Sequence, residues 1–122
     1  MKQAQIIKAY KTIQSLSDQT LPIKVSYALY KILNVLKEQF DFQVSEEKKI
    51  MNDYFDFYDQ NTNNFVFDEN NKDKSDELIS RIKELNDIDV DLHIVPVVIN
   101  SDVNIELSME QIKTLEGIVA FE

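Results

Sequence analysis

From Val25 to Tyr58 apolar side chains recur at helical spacing: Ala28, Leu29, Ile32, Leu33, Leu36, Phe40, Val44, Met51, Tyr54, Phe55 and Tyr58. Steps of three and four residues place side chains on one stripe of an α-helix. The stripe predicts one helix of about 35 residues, about 50 Å long at a rise of about 1.5 Å per residue. A break at Asp41-Phe42-Gln43, with Ser45-Glu46-Glu47-Lys48 as a restart, would make two shorter helices instead; the unbroken helix is the favoured reading. An element of that length dominates a chain of 122 residues, enough for one compact core and a single domain over residues 1–122. The only glycine, Gly117, points the same way. Phosphate-binding loops, dinucleotide fingerprints and nucleophile elbows all need glycine where the backbone turns sharply or approaches a ligand, so none can be written on this chain.

Around the long helix the sequence predicts six further segments. Ile6, Tyr10, Ile13 and either Leu16 or Ser17 form a helical stripe that is broken by Ser17-Asp18-Gln19-Thr20, and Pro22 reads as the first turn of the long helix. Asn clusters flank Phe65-Val66-Phe67 and suggest a short strand or hairpin. A helix is expected from Ser75, with Asp76 and Glu77 in its first turn and Leu78, Ile79, Ile82 and Leu85 as its stripe. The period then changes to two: Ile88, Val90, Leu92 and Ile94 alternate with Asp87, Asp89, Asp91 and His93, and Val103, Ile105 and Leu107 alternate again. Two half-buried strands pairing as a hairpin would explain this, with Pro96 at an end or edge. Ser108-Met109-Glu110-Gln111 is a capping-box pattern opening a last short helix through Ile112 and Leu115, with Val119 as its furthest extent. The expected fold class is α+β: a long helix with antiparallel helical neighbours and a small antiparallel sheet toward the C-terminal half.

Charge is divided unevenly along this framework. Residues 1–52 carry eight Lys against five Asp and Glu, a net of +3, whereas residues 53–122 carry five Lys and Arg against seventeen acids, a net of −12. Such a field repels nucleic acid and attracts basic protein surfaces, including the grooves of proteins that handle nucleic acid. The absence of cysteine excludes disulfides, thiolate nucleophiles and zinc–sulfur sites and suits a reducing compartment. Lys and Gln interrupt MKQAQIIKAYKTI every few residues, unlike a signal peptide, and no apolar run approaches the roughly 18 residues of a membrane span. A cytoplasmic location without membrane association is the expectation.

Four groups of residues are candidates for function. Asp59-x-Asn61-x-Asn63-Asn64-x-Val66 is similar to the opening of a helix–loop–helix calcium site, but Asn64 stands where glycine is needed and Asn70 where a bidentate Glu is needed, so an Asn-rich turn is favoured and no metal is expected. His93, the only histidine, lies beside Asp91 with Ser101 as the nearest hydroxyl, yet a lone strand histidine reads as a surface residue. Of the aromatic run Tyr54-Phe55-Asp56-Phe57-Tyr58, Tyr54, Phe55 and Tyr58 fit the core stripe, which leaves Phe57 as a candidate apolar anchor for a partner. Asp87, Asp89 and Asp91 line one strand face, with Asp102 and Glu106 facing them on the next. This is either a solvated sheet face or a docking surface on which carboxylates mimic phosphates.

The stretch Leu21-Pro22-Ile23-Lys24-Val25-Ser26-Tyr27-Ala28, opening the long helix, resembles a family of small proteins of bacteriophages and prophages of Gram-positive bacteria. The long charged helix, the Asn/Asp-rich middle, the acid-alternating strand Ile88–Ile94 and the closing helix from Ser108 agree with it in outline. The resemblance implies a phage origin, and therefore a host-cell cytoplasm, but no activity and no catalytic residues. The resulting expectation is a non-enzymatic, cofactor-free protein that binds another protein. The sharpest version is an acidic inhibitor of a host nucleic-acid-handling or defence system, anti-CRISPR-like, contacting its partner through Asp87, Asp89, Asp91, Asp102, Glu106 and Phe57. The alternative is a virion or assembly accessory protein that self-associates through Leu29, Ile32, Leu36 and Phe40.

Overall fold

The long stripe is realised as one unbroken helix, α2 (Ile23–Asp53), 31 residues or about 46 Å in length. In the computed structural model, which describes all 122 residues, α2 is the longest element and packs against the helices before and after it. Pro22 stands at its N-terminal boundary with φ −54°, so its missing N–H costs the helix nothing. No helix is long and apolar enough to cross a membrane.

Before it, α1 (Gln3–Ser15) packs back along the N-terminal half of α2 after a 3-10 turn at Leu16–Asp18. Ile6, Ala9, Tyr10, Ile13 and Leu16 are buried against Leu29, Ile32 and Leu36, and the Tyr10 and Phe40 rings stack with centroids 4.3 Å apart. Leu36 is fully enclosed. The residues that a self-associating seam would need are therefore spent on the chain's own core. Leu29, Ile32 and Leu36 are buried there and Phe40 packs against it, so this seam is not available to a second copy.

After α2 the chain forms a small antiparallel hairpin, β1 (Tyr58–Asp59) with β2 (Asn64–Phe65), turned through Asn63 at φ 57°. Asparagine tolerates this left-handed conformation better than other non-glycine residues. The next helix, α3 (Lys72–Asn86), starts three residues before the expected Ser75. The reason lies upstream: the Asp68 carboxylate accepts from the N–H groups of Asn70 and Asn71 at 2.9 and 3.1 Å and nucleates a 3-10 turn that leads straight into α3. α3 runs antiparallel to the C-terminal half of α2. There Ile50, Tyr54 and Leu85 form a second, smaller core with Phe57, Phe65, Leu78 and Ile82 around it. Arg81 ties the two helices together, donating to Asp53 at 2.8 Å and lying over the Tyr54 ring at 5.6 Å. Between the two cores sits a polar seam. The Gln43 amide donates to Asn86 and Glu47, each at 2.8 Å, and the Gln3 amide donates to the Gln39 carbonyl at 2.7 Å.

The C-terminal third departs from the expected hairpin. Residues 88–94 are extended, and Val90, Leu92 and Ile94 do turn toward the main core. Their backbone pairs only locally, with the start of the chain, through Gln3 N–H to Ile88 O at 2.9 Å and Val90 N–H to Met1 O at 2.8 Å. Val103, Ile105 and Leu107 also pack on the core without forming a strand. The ladder lies elsewhere: β3 (Val97–Ile99) pairs with β4 (Val119–Phe121), and the pair is parallel, so Val119 belongs to a strand and not to the last helix, which stops short of Gly117. Parallel strands need a crossover, supplied by the segment that carries α4 (Met109–Thr114). α4 opens with the expected capping box, Gln111 N–H to Ser108 Oγ at 3.1 Å and Ser108 N–H to Gln111 Oε1 at 2.8 Å. Four helices with one antiparallel and one parallel strand pair make the fold α+β.

Candidate functional site

The acidic residues of the extended segment are held outward by the same alternation that turns its apolar residues inward. Asp87, Asp89 and Asp91 are all exposed. Asp87 closes α3, its N–H bonded to the Lys83 carbonyl at 2.9 Å, and its carboxylate lies 4.0 Å from Lys2 Nζ. Asp89 and Asp91 border a shallow groove of about 420 Å³ whose far side is α2, through Glu38, Gln39 and Phe42. Three carboxylates thus line the same groove as the Phe42 ring, which is 45% exposed. Sequence reasoning missed Glu38 and Phe42. Phe42 falls outside the buried stripe of α2, and only the fold brings that part of the helix beside residues 88–91.

Asp102 and Glu106 do not join this group, because the hairpin that would have carried them does not form. Asp102 is exposed after β3, in the turn closed by Val103 N–H to Asn100 O at 3.0 Å. Glu106 is fastened to the opposite end of α1: its carbonyl accepts from Gln19 Nε2 at 2.8 Å and its N–H donates to Gln19 Oε1 at 2.9 Å. The length of α1, about 20 Å, separates it from Asp87 and Asp89.

Phe57 is not a free anchor. Its ring lies 5.0 Å from that of Phe67 and packs on the second core, whereas Phe55 is 56% exposed and stacks on Tyr58 at 5.8 Å. The exchange follows from where α2 stops. The helix ends at Asp53, and a 3-10 turn at Phe55–Phe57 changes the angular step, so a stripe extrapolated past Tyr54 points to the wrong ring.

The residues considered for catalysis or metal binding have structural settings. Asp59 accepts from the Asn61 N–H at 2.9 Å, a turn-forming bond inside the β1–β2 hairpin. His93 is exposed and makes no hydrogen bond to Asp91 or Ser101. No three histidine or carboxylate side chains converge in a way that would hold a metal ion. The shifted ionisations are exposed helix-surface effects: hydrogen bonds to Tyr54 and Asp53 raise the Arg81 pKa, and a hydrogen bond and ion pair with Asp41 raise that of Lys37.

The acidic field is concentrated. Residues 53–91, which hold the hairpin, α3 and the extended acidic segment, carry twelve carboxylates against four Lys and Arg. No protein-family model matches the chain, and no curated protein or solved structure matches it either.

Proposed function

We propose that the protein acts by binding another protein through a carboxylate-rimmed patch centred on Phe42, without making or breaking a bond. The observation that carries this reading is the patch itself: Glu38, Asp89 and Asp91 line one groove with the exposed Phe42 ring, and the extended acidic segment that supplies two of them ends a stretch, residues 53–91, of net charge −8. An apolar centre with a charged rim is the usual anatomy of a protein interface, and the sign of the rim selects a basic partner. A basic groove built for phosphates is such a surface. Together with the phage resemblance of Leu21–Ala28, this supports an acidic inhibitor of a host nucleic-acid-handling or defence system, anti-CRISPR-like, as the sharpest form of the proposal. The contacts move accordingly from Asp102, Glu106 and Phe57 to Glu38, Phe42, Asp89 and Asp91. The assembly-part reading would require a different helical face, since its seam is buried.

The test is capture from host lysate at low salt with the native protein and with an Asp89→Lys/Asp91→Lys variant. A basic nucleic-acid-handling protein should be retained by the native chain, released by salt, and lost with the variant. Equal retention by both proteins, or capture that salt does not weaken, would sink the proposal.

A further inference from the structure

A second groove, on the N-terminal half of α2, has the opposite character. One wall is the α2 face formed by Val25, Ala28, Ile32 and Val35, flanked by Lys24 and Lys31; the other is the chain from His93 to Val98. The groove encloses about 470 Å³, and no residue of β4 lines it. It therefore opens on the edge of β3 that β4 leaves free. The parallel ladder consumes the backbone groups of alternate residues: Val97 N–H bonds to Ile118 O at 2.9 Å and Ile99 O accepts from Glu122 N–H at 3.0 Å. Both groups of Val98, between them, point to the other edge, where the two-stranded sheet has no further strand. Apolar surface is left open beside that edge, with Val95 87% exposed and Val98 half exposed.

Charge identifies what fits. The chain has 22 carboxylates, yet this groove is lined by none; its ionisable groups are Lys24, Lys31 and His93. Lys31 Nζ lies over the Tyr27 ring at 5.0 Å. An occupant must offer main-chain bonds to a strand edge, apolar side chains to α2 and negative charge to the rim. A segment that alternates apolar and acidic residues does all three. The chain's own segment of that type, residues 88–94, is tied to the start of α1 by the Ile88 and Val90 bonds, and Glu122 is tied to Ile99. Neither can turn into the groove without breaking the fold.

We propose that this groove binds an extended, acidic-apolar peptide segment of a partner protein, which adds to β3 as a third strand beside Val98 with its carboxylates at Lys24 and Lys31. Pro96 offers no N–H, so pairing is confined to the stretch around Val98 and the occupant is short. This surface is separate from the acid-rimmed patch, and its fate does not depend on that patch.

The test uses a labelled synthetic peptide of alternating valine and glutamate, about six residues long, the length of an ordinary strand. Its binding is followed by fluorescence anisotropy and by amide chemical shifts of the isotope-labelled full chain. Saturable binding is expected below about 1 mM, with the largest shifts at Val98 and its neighbours. A Lys24→Glu/Lys31→Glu variant, altered only at exposed side chains, should weaken binding about tenfold while its thermal melt stays native-like. A valine–lysine peptide should leave the amide shifts of Val98 and its neighbours unchanged. Absence of saturable binding, shifts located away from β3, or equal binding by the variant would overturn the proposal. Concentration-dependent dimerisation that protects Val98 without peptide would overturn it in favour of a second copy.

Discussion

Gly117 sits between α4 and β4 at φ 81°, a conformation that costs other residues but not glycine. A Cβ added there would meet nothing within 4 Å, so the cost of substitution is purely conformational. Gly117→Ala should lower unfolding free energy in urea by about 1–2 kcal/mol, and Gly117→Asn by less. Gln43 presents the reverse situation. It is 3% exposed and its amide nitrogen is doubly bonded, but its Oε1 has no partner, as is true of Gln3 Oε1. Gln43→Met removes an unpaired acceptor together with two hydrogen bonds, and these effects oppose each other. Stability should change by no more than about 1 kcal/mol. Leu36→Ala, which opens a cavity at the centre of the main core, should cost about 2–5 kcal/mol in the same assay.

Element boundaries carry predictions of their own. Ser45 is an N-cap only if α2 is broken near Gln43; in one continuous helix it is an exposed interior residue. Ser45→Ala should therefore stabilise the protein by about 0.5 kcal/mol. Ser108 is a true N-cap, bonded to the Gln111 N–H, and Ser108→Ala should destabilise by about 1 kcal/mol. A matching loss at Ser45 would show that α2 is two helices. The stripes of α1 and α2 and the capping box of α4 were legible in the sequence because each depends on residues a few positions apart. The start of α3 was less so. Asp68 and Ser75 are both plausible starts locally, and the Asp68 side chain bonding two N–H groups decides between them.

At the scale of the whole molecule, charge and apolar surface are sorted to different places. The carboxylates gather in residues 53–91, and an apolar groove lies beside Lys24 and Lys31. Apart from Arg81–Asp53, which joins α2 to α3, the ion pairs are exposed pairs within one helix or long contacts, such as Lys37–Asp41 at 2.8 Å and Lys2–Asp87 at 4.0 Å, and do little to offset the repulsion. Raising salt from about 0.01 to about 0.1 M shortens the screening length from about 30 to about 10 Å, and the melting temperature should rise. The same change should weaken capture of a basic partner, so stability and affinity move in opposite directions with salt. Parallel movement would mean that the acids are not the binding surface.

The sequence by itself determined most of the inward faces, but not all: Phe55, Ile79 and Ile88 fall on the expected apolar stripes and are 56%, 63% and 41% exposed. Alternation at Val90, Leu92 and Ile94 and helical spacing at Ile6, Tyr10 and Ile13 mark the buried faces, because burial obeys the local period of the backbone. Only the tertiary structure decided what those faces meet. Val97–Ile99 finds Val119–Phe121 in parallel across α4, leaving residues 103–107 without a ladder; Phe42 comes beside Asp89 and Asp91; and Glu106 goes to the far end of α1. Backbone hydrogen-bonding groups are the same at every residue. A strand's partner and the walls of a groove are therefore set by how helices of given length and stripe pack together, which no local pattern records.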